Sequence, residues 1–73
     1  YSPLMPEAIY YLVLNNLEFA RKSVEAKKQE RYQACLDACI KMQLDYSQSP
    51  YLKEVDKIAA EVRKQLEKDG KTQ

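Results

Sequence analysis

The chain has 73 residues, 45% hydrophobic and 32% charged, and its 12 Lys and Arg against 11 Asp and Glu leave a formal charge of +1. A chain this short makes one domain with a small core and no room for an enclosed active site. Balanced charge also argues against a nucleic-acid binder, which carries a basic surplus to neutralise phosphates.

The first predicted element is a helix over about 6–27. Pro6 suits a first helical turn, where its missing N–H would be unpaired anyway, and Glu7 beside it favours the positive end of the helix dipole. Ile9, Val13, Leu17, Ala20 and Val24 recur at spacings of four and three and form one apolar stripe. The longest apolar run, Ala8 to Leu14, is far short of the roughly 20 residues that span a bilayer. It has no basic residues before it and no cleavage pattern after it, so it is not a secretory signal. The chain begins at Tyr1 rather than Met, and it reads as a piece of a longer protein.

A second helix is predicted over about 30–46, with Tyr32, Cys35, Cys39, Met42 and Tyr46 on its stripe. One unbroken helix over residues 7–46 would be roughly 60 Å long, more than the remaining chain could cover. The apolar residues lapse across Glu25–Arg31, where Lys27 and Lys28 suit a helix end and Glu30 a helix start, which puts the break near Lys28–Glu30. The competing reading keeps the helix whole and pairs it with a second chain as a coiled coil.

The third helix is expected over about 50–69. Ser49 before Pro50 makes an N-cap followed by a first-turn proline, and Gly70 is the natural terminating residue. Leu52, Val55, Ala59, Val62 and Leu66 form its seam. Glycine occurs once and no Asn-Gly or Asp-Gly pair occurs, so hairpins lack their turn residues. The fold class is therefore all-α, a three-helix bundle made of an antiparallel hairpin and a third helix.

Chemistry has little to work with. The chain has no histidine and no tryptophan, which removes the commonest general base and metal ligand. Cys35 and Cys39 are an incomplete zinc set. Four apart on one helix, their Cβ atoms lie about 5–6 Å apart, beyond disulfide reach. They read as small buried hydrophobes in a reducing, cytoplasmic setting. One glycine cannot build a phosphate-binding loop. No enzyme activity, cofactor or metal is expected. The run Arg21, Lys22, Lys27, Lys28, Arg31 is interrupted by Glu25 and Glu30 and reads first as a solvated helix end, with anionic lipid as an alternative contact.

What is in surplus is apolar surface. Ile9, Tyr10, Leu12, Val13, Leu14 and Leu17 cover more of the first helix than a peripheral bundle helix needs, so Tyr10 and Leu14 are expected to stay exposed. The second helix carries an extra stripe of Leu36, Ile40 and Leu44, which would face Ile58 and Val62 across a groove. Those seven residues are the candidate partner-binding positions.

The stretch Leu17–Leu66 resembles the microtubule-interacting and trafficking (MIT) domain and the related tetratricopeptide hairpin. The resemblance rests on Leu17, Ala20 and Val24, then Arg31-Tyr32-Gln33-Ala34-Cys35-Leu36, then Ser49-Pro50-Tyr51-Leu52. It implies an intracellular trafficking or autophagy module that takes an amphipathic helix or peptide in an inter-helical groove beside the third helix. The residues reach the same class unaided: a non-catalytic protein-interaction module. The alternative is a structural homo-oligomerisation segment.

Overall fold

In the computed structural model, which describes residues 5–71, the chain forms three helices, α1 (Pro6–Lys22), α2 (Glu25–Asp45) and α3 (Leu52–Lys71). The described residues contain no strand. α2 is the middle element. It packs along both α1 and α3, whereas α1 and α3 touch at only a few positions.

The core follows the predicted stripes. Ile9, Val13, Leu17 and Ala20 of α1 meet Tyr32, Cys35, Leu36, Cys39 and Met42 of α2, and Val55, Ile58, Ala59 and Val62 of α3 close the other side. All thirteen are buried, and none is charged. α2 alone needs a wide apolar arc, because it is covered on two sides, which is why Leu36 joins the core beside the Cys35–Cys39 stripe.

The break between the first two helices is corrected. It lies at Ser23–Val24, so α1 ends at Lys22 rather than near 27 and α2 begins at Glu25 rather than near 30. A side-chain hydrogen bond accompanies the break. The Ser23 hydroxyl donates to the Phe19 carbonyl, the acceptor that a continuing helix would give to the Ser23 N–H. That N–H bonds Ala20 O at 3.3 Å instead, and Ser23 and Val24 both turn extended. The Val24 carbonyl then accepts from Lys27 and Lys28 N–H and starts α2. Val24, predicted on the core stripe, is 70% exposed in this turn. Residues 7–46 therefore do not form one continuous helix.

The α3 start is as expected in chemistry. Ser49 Oγ accepts from Tyr51 N–H at 3.1 Å, an N-cap bond, although the regular helix begins only at Leu52. The far end differs: α3 continues through Gly70 to Lys71, and no glycine among the described residues takes the left-handed conformation that a terminating glycine would need.

Candidate interaction surface

The seven candidate positions separate into three groups. Leu36, Ile58 and Val62 are core residues. Tyr10, Leu14 and Ile40 are half-buried and packed against that core. Only Leu44 is freely exposed, at 77%. The expected groove of Leu36, Ile40 and Leu44 against Ile58 and Val62 is therefore mostly filled by the bundle's own packing. Gln43 of α2 also reaches across this side and donates to Asp56 of α3 at 2.8 Å.

The expectation that Tyr10 and Leu14 stand exposed is likewise corrected. Tyr10 stacks on Tyr51 just ahead of α3, with ring centroids 4.6 Å apart, so the segment entering α3 covers Tyr10 on the flank of α1 that a hairpin alone would leave open. Surplus counted on one helix was consumed by a neighbour two elements away.

Besides Tyr11, Val24 and Leu44, large apolar side chains remain exposed on another part of α1 and at its N-cap. Met5 is 63% exposed, Leu12 43% and Phe19 57%. These three residues are spaced by seven, so the helical period places them in one line along α1, with only a slow drift around the axis. Ala8 and Asn15, three after Met5 and Leu12, fall on the same face. The line runs beside the buried stripe of Ile9 and Val13 without being part of it. The seven-residue repeat was the signal that would have found it, and it is visible in the sequence once the core stripe has been subtracted. At its end the Arg31 guanidinium of α2 sits 5.5 Å from the centroid of the Phe19 ring, a cation–π contact.

The cysteines sit on the α2 face that meets α1. The Cys35 thiol donates to the Val13 carbonyl at 3.4 Å, a bond between two helices inside the core. Its pKa is lowered from the ordinary thiol value by the neighbouring Cys39 thiol, against the effect of burial, with a smaller contribution from Arg21. Cys39 is pushed up by the same contact and by burial. Both are free thiols, and neither is accessible to solvent. Among the described residues no group of three His, Cys, Asp or Glu could hold a metal ion. No helix there is long and apolar enough to cross a membrane.

Comparison with protein-family models, with curated proteins and with solved structures found no match to this chain. What the fold defines is a class: a small all-α three-helix bundle.

Proposed function

We propose that the chain is a non-catalytic interaction module that binds an amphipathic helix of another protein along α1. The observation that carries this is the exposed line of Met5, Leu12 and Phe19. Three large apolar side chains held at seven-residue spacing in water match the repeat of a helix laid alongside. The arrangement also leaves α1 a rigid platform, since its adjoining stripe of Ile9, Val13, Leu17 and Ala20 is fixed in the core. The resemblance to MIT and tetratricopeptide hairpins points to the same mode of recognition and to a trafficking or autophagy setting in a reducing compartment. The line on α1 replaces the groove beside α3 as the proposed surface, because most of that groove's residues are committed to packing.

A second reading is favoured by one feature. Met5 and Phe19 are equally far from Leu12 along the chain, so a second copy of α1 laid antiparallel would set Leu12 on Leu12 and Met5 on Phe19. That is the self-complementarity a two-fold homodimer requires. The line offers few large side chains, fewer than a standard interface of about 1,600 Å² engages, which suits a weak or transient partner.

The test compares Leu12→Asp with Leu44→Asp, each exposed and each expected to leave the fold intact by circular dichroism. Sedimentation of the full chain separates the readings. A monomer whose capture of a partner helix is lost in Leu12→Asp and kept in Leu44→Asp supports the first, and a dimer dispersed by Leu12→Asp supports the second. If the chain is monomeric and partner capture is indifferent to Leu12→Asp, the α1 line is not the binding surface.

A further inference from the structure

The turn between α1 and α2 has a different character from the rest of the surface. Phe19, on the last turn of α1, and Val24, in the turn itself, are both largely exposed. Cationic side chains stand around them. Arg31 lies over the Phe19 ring, and Lys27, four residues before Arg31, shares its face of α2. Lys22, three residues after Phe19, shares that face of α1. From Glu18 to Arg31 five cations meet three carboxylates, a surplus of two, in a chain whose total is only +1. The remainder of the molecule is therefore net negative, and the charge is polarised toward this turn.

We propose that the α1–α2 turn is a contact site for the surface of an anionic lipid bilayer. Val24 and Phe19 enter the boundary between headgroups and acyl chains, while Lys22, Lys27 and Arg31 reach lipid phosphates and carboxylates. Basic side chains next to a membrane are drawn by its negative surface potential, and interleaved apolar residues add burial in the acyl-chain boundary, which an aliphatic side chain such as Val24 does not gain from a soluble polyanion. Two of the cations are already held by carboxylates, Lys22 by Glu18 at 3.0 Å and Lys28 by Glu25 at 3.4 Å, which keeps the attraction modest and reversible. The apolar pair is thus an essential part of the site. Residues buried in the core take no part, so the bundle docks without unfolding. The proposal does not rest on helix binding along α1, since only Phe19 belongs to both surfaces.

The experiment is co-sedimentation of the full chain with vesicles of phosphatidylcholine, alone or doped with phosphatidylserine. Binding is expected to the phosphatidylserine vesicles only, and to fall as salt shortens the screening length to about 3 Å at 1 M. Val24→Asp, and the pair Lys27→Glu with Arg31→Glu, should each weaken binding about tenfold or more, as expected when charge and apolar contacts at a lipid surface are lost. Leu12→Asp should bind vesicles like the parent, which separates failure here from failure of the helix-binding surface. All three are checked for fold by circular dichroism. Equal partition to both vesicle types, or parental binding by Val24→Asp, overturns the proposal. So does tighter binding to a short single-stranded RNA that Val24→Asp leaves unchanged, which would make the turn a polyanion site.

Discussion

Tyr10 of α1 and Tyr51 at the entry to α3 stack almost parallel, their ring centroids 4.6 Å apart and their planes inclined by 15°. The first and third helices touch little elsewhere, so this pair reinforces a junction between elements that are joined mainly through α2. Offset aromatic pairs contribute about 0.5–1.5 kcal/mol beyond the area they bury. A double-mutant cycle on Tyr10→Ala and Tyr51→Ala should return a coupling energy in that range from urea unfolding. Strict additivity of the two substitutions would show that the rings pack on the core independently.

Val62 is fully buried at the centre of the α3 seam, with Val55 and Ala59 on the same stripe. Val62→Asp places an unpaired charge there and should leave the domain unfolded at room temperature, since the whole stability of so small a core is about 3–5 kcal/mol. Circular dichroism reads this directly. An unchanged melting temperature would mean that the α3 seam is placed wrongly.

Ser49 caps the start of α3, its Oγ accepting from Tyr51 N–H at 3.1 Å. Ser49→Ala should cost about 1 kcal/mol, and Ser49→Asp should recover most of the loss because a carboxylate caps the same N–H. Chemical denaturation checks both. Equal stability of the Ala and Asp variants would assign the α3 start to Pro50 alone.

Cys35 and Cys39 are inaccessible in the folded bundle. Their alkylation by iodoacetamide should therefore track the unfolding equilibrium, rising with urea along the same curve as the loss of helical signal. Replacing both with Ala should lower stability by about 1–3 kcal/mol through lost packing and loss of the Cys35 bond to Val13 O. Rapid labelling in native buffer, or zinc-dependent folding, would contradict a purely structural role.

Much of the fold was legible because three apolar stripes at helical spacing needed no tertiary information. Ile9, Val13, Leu17 and Ala20, then Tyr32, Cys35, Cys39 and Met42, then Val55, Ala59 and Val62 all lie where periodicity put them. The helix break was not legible by the usual signs, because neither proline nor glycine marks it. The side-chain bond that accompanies it, a serine hydroxyl on the Phe19 carbonyl, is also found inside many unbroken helices. The α1 surface was misread for a related reason. The exposure of Tyr10 depends on where Tyr51 arrives from, which no count along α1 contains. Once Ile9 and Val13 were assigned inward, Leu12 was free to be read as outward.

The central position of α2 also bears on how the molecule comes apart. Each outer helix is held mainly by that one neighbour, and α1 and α2 are consecutive, joined by the short turn at Ser23–Val24. Both neighbouring pairs are sequence-local, and α1–α2 makes the more extensive contact, so that hairpin should assemble first and α3 should dock onto it afterwards. In native-state hydrogen exchange the amides of α3 then open at lower free energy than those of α2, as a separate cooperative unit held by its core contacts with α2 and by the Tyr10–Tyr51 stack at its entry.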